Sequence, residues 1–175
     1  MTADALHLIE THTAIIEDFP QPGITFRDLT PVFADGEALR AVADALVAPW
    51  IGTIDAIAGV EARGFLLAAA AAYSVGLGVL VVRKPGKLPR EVISESYDLE
   101  YGTATLEVQP EDLPAGSRVL IVDDVLATGG TLAASARLIE RAGWTVAGVS
   151  VVLELGDLHG RSALAERDVL SLQVV

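Results

Sequence analysis

The sequence contains no cysteine and few cations. Its 175 residues include 12 lysines and arginines against 24 aspartates and glutamates, which gives a formal net charge of -12. The missing cysteine excludes disulfides, thiolate metal sites and thiol nucleophiles. The negative field repels polyanions and so argues against a broad nucleic-acid surface or a polybasic membrane surface. The length suits a single domain with a sizeable core.

One long uncharged run raises the question of a membrane span. Residues 64–82 carry no charge, and the mean hydropathy of the chain is +0.47. The alanines at 68–72 and the glycines Gly76 and Gly78 instead predict a small-residue helix, a turn and a strand. Residues 1–20 lack the basic start of a signal peptide. We therefore expect a soluble, cytoplasmic protein.

The hydrophobic periodicity predicts an α/β fold. Short apolar runs predict buried strands, and longer segments with a helical period lie between them. Strands that alternate with helices favour a central, mainly parallel sheet flanked by helices. No repeat or linker interrupts the chain, so one domain spanning residues 1–175 is expected. The predicted strands are 55–60, 79–83, 118–122 and 146–153, and the predicted helices are 36–47, 64–74 and 132–142.

Three segments are harder to assign. A first helix is predicted to run to about Glu17. Residues 18–31 contain three prolines and a glycine, which indicates an ordered loop or a short edge strand. Residues 85–101 are polar, contain two prolines and lack a sustained period, so a functional flap or a disordered segment is expected there.

The segment 119–131, VLIVDDVLATGGT, predicts an anion site. Its glycines let backbone N–H groups approach a phosphate closely, and the helix that follows adds its dipole. The carboxylates of Asp123 and Asp124 would repel that phosphate, so they should face sugar hydroxyls or a hydrated magnesium ion. A phosphate at one end and hydroxyls or metal at the other describe a ribose 5-phosphate. The predicted phosphate ligands are Ala127, Thr128, Gly129, Gly130 and Thr131.

Other phosphate motifs do not fit this segment. A Walker loop requires a lysine directly after the glycines, and a dinucleotide-binding turn requires GxGxxG spacing. A receiver domain requires a lysine downstream of its aspartates, and the 51 residues after Asp124 contain none. The histidines His7, His12 and His159 have no metal-ligand spacing.

The string at 119–131 resembles the 5-phosphoribosyl 1-pyrophosphate (PRPP) motif of the type I phosphoribosyltransferase family. Other segments resemble the adenine-using branch of that family, in the family's order and over nearly the whole chain. The resemblance implies the single-domain type I phosphoribosyltransferase fold, with a small purine-binding hood at about residues 1–35 and a flexible catalytic loop at about 85–108. The matching segments are DFPQPGITFRDLTPVF at 18–33, GVEARGFLL at 59–67, RKPGKLP at 83–89, YDLEYGTATLEV at 97–108 and LELGDLHGR at 153–161.

The cations of the chain are concentrated in one segment. Lys84 and Lys87 are its only lysines, and both lie between Arg83 and Arg90. A charged loop that aids solubility is one interpretation, and a pyrophosphate site is the other. The resemblance implies that residues 61–64 wrap the pyrophosphate with their backbone. It also implies that Arg63 and Lys87 are the nearest side chains, with Arg83 and Lys84 beside them.

The resemblance assigns the remaining site residues to two loops. Residues 18–27 would supply the purine pocket, in which Phe19 and Phe26 offer apolar faces and backbone groups near Thr25 and Arg27 read the edge of the base. A proline-rich loop that only covers the core is the alternative. In the flexible catalytic loop, which would close over the active site, Glu100 would accept or donate the purine proton, and Tyr101 would shield the site from water. Many relatives carry a lysine where this chain has Thr103, so its closed loop is expected to be less basic.

The residues alone indicate a PRPP-using enzyme that acts on a planar base. The resemblance implies a purine salvage enzyme that converts adenine and PRPP to AMP and pyrophosphate. Magnesium would be held mainly by PRPP, with Asp123 and Asp124 nearby. The resemblance also implies a homodimer, with no nucleic-acid or membrane partner. Two alternatives remain, namely a type I enzyme for another base (hypoxanthine, guanine, xanthine or orotate) and a PRPP-sensing regulator. A regulator that binds DNA or RNA would need a basic face or a DNA-binding extension, and the sequence has neither.

Overall fold

A computed structural model describes residues 3–98, 102–165 and 167–175 of the chain. These ranges contain five α-helices and nine strands. The helices are α1 (Ala3–His12), α2 (Thr30–Ala34), α3 (Gly36–Val47), α4 (Arg63–Val75) and α5 (Gly130–Arg141). The strands are β1 (Ala14–Ile16), β2 (Phe26–Asp28), β3 (Ala56–Val60), β4 (Gly78–Val82), β5 (Ile93–Asp98), β6 (Thr103–Val108), β7 (Arg118–Leu126), β8 (Thr145–Glu154) and β9 (Val169–Val174).

Five of the strands form a parallel sheet in the order β4-β3-β7-β8-β9. β1 pairs with β2, and β5 with β6, as separate antiparallel ribbons. β3 is buried along its whole length, as expected for a central strand covered on both faces. The predicted parallel sheet flanked by helices is confirmed.

Two hydrophobic cores cover the sheet. One packs α3 and α4 residues such as Leu46 and Leu67 against Leu120 of β7. The other packs α5 residues such as Leu138 against Ile121 of the same strand. Because successive residues of a strand point to opposite faces, β7 contributes to both cores and lies at the centre of the molecule.

The uncharged run at 64–82 is divided between α4 and β4, as predicted. Gly76 separates them in the left-handed conformation, with φ +71°, which ends the helix. Within the described ranges, no helix combines the length and the apolar character that a membrane crossing requires.

The predicted first helix ends earlier than expected. α1 stops at His12, and residues 14–16 form β1, which pairs with β2 of the proline-rich segment. Ile15 and Ile16, which the helical pattern included, are 53% and 41% exposed. Their strand conformation follows from pairing with residues 26–28, which are distant in sequence, so the local pattern could not reveal it.

The polar segment at 85–101 is more regular than predicted. Its residues 93–98 form β5, which makes a hairpin with β6. The strand alternates between half-buried and exposed residues, but one inward position is occupied by Glu95. Arg137 and Arg141 of α5 pair with this carboxylate at 2.7 Å and 2.6 Å and lower its pKa. Because a charged residue occupies an inward position, the alternation of buried and exposed residues along β5 could not be recognised in the sequence.

Candidate functional site

The carboxyl ends of β3 and β7 form the central crevice of the sheet. These strands are neighbours, yet α4 leads from β3 to β4 on one side, and α5 leads from β7 to β8 on the other. Ligands of open parallel sheets bind where the connections diverge in this way. The segments at this point are residues 61–63 after β3 and residues 127–130 after β7.

The turn after β7 has the geometry of a phosphate cradle. Gly129 has φ +82°, and α5 begins at Gly130, so its first backbone N–H groups open toward the turn. A Cβ at Gly129 would lie 2.3 Å from the carbonyl oxygen of Gly160, which leaves room for hydrogen alone. A small pocket of about 90 Å³ lies here, lined by Asp123, Val125, Ala127, Thr128, Gly129, Gly130, Thr131 and Leu132.

Gly160 supports this turn from behind. A Cβ at Gly160 would lie 2.1 Å from the carbonyl oxygen of Ala127, so two glycines allow the chain segments to touch. Gly160 belongs to the LELGDLHGR segment, which contributed to the resemblance but was given no role. A single sequence contains no signal for this contact.

Asp123 and Asp124 lie inside β7, because the strand continues to Leu126 rather than ending at Val122. Asp123 lines the small pocket at this turn, whereas the sequence predicted that both carboxylates face away from a phosphate bound there. Burial, and then the neighbouring Asp124 carboxylate, raise the pKa of Asp123 well above its usual value.

Asp124 faces Arg63 across the crevice. Its Oδ2 lies 2.8 Å from Nε of Arg63, with Asp124 only 7% exposed. The N–H group is not aligned with the oxygen, however, and Oδ2 accepts no hydrogen bond from the described residues. A buried carboxylate oxygen without a hydrogen bond is costly unless a ligand supplies the donor.

Arg63 also contacts the predicted hood. Its guanidinium carbon lies 5.8 Å from the centre of the Phe26 ring, within cation–π range. Phe19 meets Phe26 edge to face, with ring centroids 5.2 Å apart. Thr25 is exposed, and Arg27 lies in β2 opposite Ile15. The structure thus brings Phe19 and Phe26 to the side of the Arg63–Asp124 pair.

The cationic segment, residues 83–90, follows β4, and two carboxylates accept hydrogen bonds from it. Glu61 accepts hydrogen bonds from the backbone N–H of Lys84 at 2.9 Å and from Nε of Arg83 at 3.3 Å. The Lys84 N–H, followed by the Arg83 guanidinium, lowers the pKa of Glu61, so it is a carboxylate at neutral pH. Glu107 of β6 is 8% exposed and accepts from the backbone N–H of Gly86 at 3.0 Å.

The lysine side chains of this segment are exposed. Lys84 and Lys87 form no ion pair with any residue in the described ranges. The sequence predicted a role only for the backbone of Glu61 and none for Glu107. The structure indicates that both carboxylates orient the cationic segment.

A larger cavity of about 500 Å³ connects the cationic segment to the turn after β7, residues 127–131, which is called the phosphate turn below. Lys84 lies on one side of it and Thr131 on the other, and the β5–β6 hairpin forms a wall. The predicted Glu100 and Tyr101 lie outside the described residues. The cavity is lined by Glu61, Lys84, Pro85, Tyr97, Thr103, Ala104, Thr105, Leu106 and Thr131.

Known proteins resemble this chain over nearly its full length. The family model "Phosphoribosyl transferase domain" matches residues 33–170. The adenine phosphoribosyltransferase of Renibacterium salmoninarum is 68% identical over 164 residues, covering 94% of this chain and 90% of the relative. That of Thermobifida fusca is 53% identical over 176 residues and covers 100% of both chains.

Solved structures show the same fold. The adenine phosphoribosyltransferase of Thermoanaerobacter pseudethanolicus superposes with a TM-score of 0.92 at 46% identity, covering 97% of this chain and 99% of its own. That of Saccharomyces cerevisiae, solved with adenine and an imino-altritol bisphosphate, gives 0.91 at 36% identity, covering 98% and 99%. The expected type I phosphoribosyltransferase fold is confirmed.

Proposed function

The chain belongs to the adenine phosphoribosyltransferase family, and we propose that its central crevice converts adenine and PRPP to AMP and pyrophosphate. A nitrogen of the base forms a bond to the anomeric carbon of the ribose as the bond from that carbon to pyrophosphate breaks. The transition state has oxocarbenium character. The protein can assist by holding the ribose, stabilising the leaving pyrophosphate and excluding water.

The observation that carries this proposal is the position of the Arg63–Asp124 pair. Arg63 lies over Phe26 on one side and 2.8 Å from Asp124 on the other, and β7 continues from Asp124 into the phosphate turn. An apolar ring, a carboxylate and a phosphate cradle thus follow one another along the crevice. A nucleoside 5-phosphate presents its base, ribose hydroxyls and phosphate in the same order.

Each end of the substrate has a proposed set of ligands. The turn from Ala127 to Thr131 holds the 5-phosphate. Oδ2 of Asp124, which lies 2.8 Å from Nε of Arg63 but accepts no hydrogen bond from the described residues, accepts one from a ribose hydroxyl. Asp123, which lines the same pocket, completes the ribose end. The proposed base contacts are Phe19, Thr25, Phe26 and Arg27, and the proposed pyrophosphate contacts are Arg63, Arg83, Lys84 and Lys87.

We propose that, in the free protein, the Glu61 carboxylate accepts the hydrogen bonds that pyrophosphate accepts in the complex. Its carboxylate accepts from Arg83 and from the N–H group of Lys84, both donors that a phosphate oxygen could use. An incoming pyrophosphate would therefore compete with Glu61 for these donors. These two donors already bind an anionic group, which supports a pyrophosphate role for the segment over a role in solubility alone.

The donor set of the crevice fits Mg²⁺. Carboxylate oxygens are ligands that this ion prefers, and Oδ2 of Asp124 is buried without a hydrogen bond. The described residues contain no group of three or more histidines or acidic residues that could hold a metal. We therefore propose that the ion binds with PRPP, with Asp123 and Asp124 nearby. When bound, it neutralises charge on the pyrophosphate.

The closing loop completes the proposed site. We propose that Glu100 transfers the purine proton and that Tyr101 shields the reaction from water. We propose that the residues around Glu100 and Tyr101 close over the site while β5 stays paired with α5. The hood at about residues 1–35, the loop at about 85–108 and the PRPP motif at 119–131 would belong to one domain. We also propose the cytoplasm as the place of action, where nucleotide precursors are made and consumed.

A panel of free bases tests the reaction. Adenine, hypoxanthine, guanine, xanthine and orotate are each incubated with PRPP and Mg²⁺, and nucleotide formation is followed by absorbance. AMP should form from adenine, and chelation of the metal should stop the reaction. Nucleotide from another base but none from adenine would refute the proposed substrate, and no nucleotide from any base would refute the proposed reaction.

We propose that the enzyme is a homodimer, joined through the outer face of α4. Leu66 and Tyr73 on this face are 54% and 91% exposed. Tyr73 borders a groove of about 470 Å³ between α3 and α4 that contains Arg40 and Asp44. A two-fold axis brings the same surface against itself, so a patch with one charge of each sign is self-complementary.

Light scattering tests the dimer. The wild-type protein should have the mass of two chains, and Tyr73→Glu should shift it to the mass of one. Ile51→Glu is the matched control, because Ile51 is 63% exposed but does not line the groove, and it should stay dimeric. A monomeric wild type, or a dimeric Tyr73→Glu variant, would contradict this interface.

A further inference from the structure

Tyr97, the second-last residue of β5, connects the hairpin to the turn after β7. Its hydroxyl lies 3.1 Å from Oγ1 of Thr131, the second residue of α5. A Cβ at Gly130 would lie 3.6 Å from the Tyr97 ring, so the ring also rests on the turn. Tyr97 and Thr131 line the same cavity of about 500 Å³.

The position of Tyr97 does not depend on this one hydrogen bond. Two residues earlier, Glu95 pairs with Arg137 and Arg141 of α5. Arg141 also donates to the carbonyl oxygen of Ser94 at 2.9 Å. The strand is therefore fastened along the helix, and removal of the Tyr97 hydroxyl should leave the ring in place.

The direction of the Tyr97–Thr131 hydrogen bond follows from the fact that phosphate oxygens accept hydrogen bonds. Phosphate oxygens at neutral pH accept hydrogen bonds, and the hydroxyl of threonine has a single proton to donate. If Thr131 donates that proton to the 5-phosphate, its oxygen must act as the acceptor for Tyr97. Only one direction is then allowed, from Tyr97 to Thr131 to phosphate.

We propose that Tyr97 is a positioning residue for the 5-phosphate, whose hydroxyl orients the Thr131 hydroxyl toward the phosphate oxygens. The inference rests on the proposed function for the identity of the ligand. Without Tyr97, the Thr131 hydroxyl could rotate to other acceptors, and one donor in the cradle would lose its fixed direction. Successive hydrogen bonds also polarise one another, so the loss should weaken the bond to the phosphate itself.

Tyr97→Phe tests this role because it removes the hydroxyl and keeps the ring. Calorimetry should show that ribose 5-phosphate binds about 3–10-fold more weakly, the range expected for one hydrogen bond. Inorganic pyrophosphate should bind as it does to the wild type. In steady state, KM for PRPP should rise by a similar factor, whereas KM for adenine should not change.

Two further variants separate positioning from a general effect on the hairpin. Ser96→Ala removes the neighbouring hydroxyl, which bonds to Thr105 at 2.9 Å within the hairpin, and it should bind ribose 5-phosphate normally. Thr131→Val removes the acceptor. If Tyr97 acts through Thr131, adding Tyr97→Phe to Thr131→Val should weaken ribose 5-phosphate binding no further.

The outcomes distinguish this inference from the proposed function. Unchanged ribose 5-phosphate binding in Tyr97→Phe, equal loss in Ser96→Ala, or additive losses in the double variant would each overturn the role of Tyr97. A wild-type protein that binds no ribose 5-phosphate would overturn it as well. If the wild type binds ribose 5-phosphate with the expected Tyr97 dependence but makes no AMP, the proposed reaction fails and the role of Tyr97 stands.

Discussion

The contact between Gly129 and Gly160 predicts that Gly129→Ala destabilises the protein as well as its phosphate turn. The left-handed φ of +82° costs a residue with a Cβ about 1–2 kcal/mol. The added methyl would lie 2.3 Å from the Gly160 oxygen and 2.9 Å from Cβ of Ala163, and such overpacking costs about 1–3 kcal/mol. Together these effects predict a loss of about 2–5 kcal/mol in the free energy of unfolding.

Thermal unfolding provides the measurement. Each kcal/mol lowers the Tm of a chain of this size by about 2–4 °C, so the Tm of Gly129→Ala should fall by roughly 10 °C. Gly130→Ala is the matched control for stability, because its Cβ would be 3.6 Å from the nearest atom, within ordinary contact distance. Its stability should stay within about 1 kcal/mol of the wild type. Equal Tm values for the two variants would show that the Gly129–Gly160 contact does not require glycine.

Three further predictions concern carboxylates. Asp124→Asn should keep the fold but lower kcat/KM about 10- to 150-fold, the range for the loss of a hydrogen bond to a charged group. A variant with wild-type kcat/KM would refute the proposed contact between Asp124 and the ribose. Glu100→Gln should lower kcat about 10²–10⁴-fold and remove one limb of its pH profile, whereas an unchanged profile would assign the proton to another group. The Arg118 guanidinium and backbone N–H lower the pKa of Asp55 to about 2, which NMR titration can measure. Because folding lowers that pKa, Asp55→Asn should reduce the free energy of unfolding most above pH 4, and this difference should vanish as the pH falls through about 2. A difference that does not depend on pH would contradict the ion pair.

The sequence was sufficient for the central sheet because its strands are apolar on both faces. β3, β4, β7 and β8 were each predicted within a few residues, since continuous runs such as that at 118–122 have few other interpretations. β9 was not predicted, and its half-exposed residues include Ser171 and Gln173. The sequence signal weakens wherever a strand lies at an edge or carries polar residues inward.

The candidate site was predicted unevenly for a similar reason. The glycines and threonines of the turn after β7 are adjacent in sequence, so a phosphate site could be predicted from that segment alone. Arg63, Phe26 and Asp124 come from three distant segments, and their contacts are tertiary. Tyr97 and Gly160 were missed because one tyrosine in a polar segment and one glycine after a strand have no distinctive pattern.

The clustering of the two lysines has a consequence for chemical labelling. Lys84 and Lys87 are exposed on the segment that follows β4, and Lys84 lines the larger cavity. Apart from the amino terminus, every amine that a labelling reagent could modify therefore lies on this segment. A lysine-specific protease is likewise limited to this segment, because Lys84 precedes a proline and only the bond after Lys87 is a good substrate. Immobilising the protein through Lys84 would therefore attach it at the larger cavity, and an amine-reactive dye on Lys84 would sense a ligand that enters this cavity.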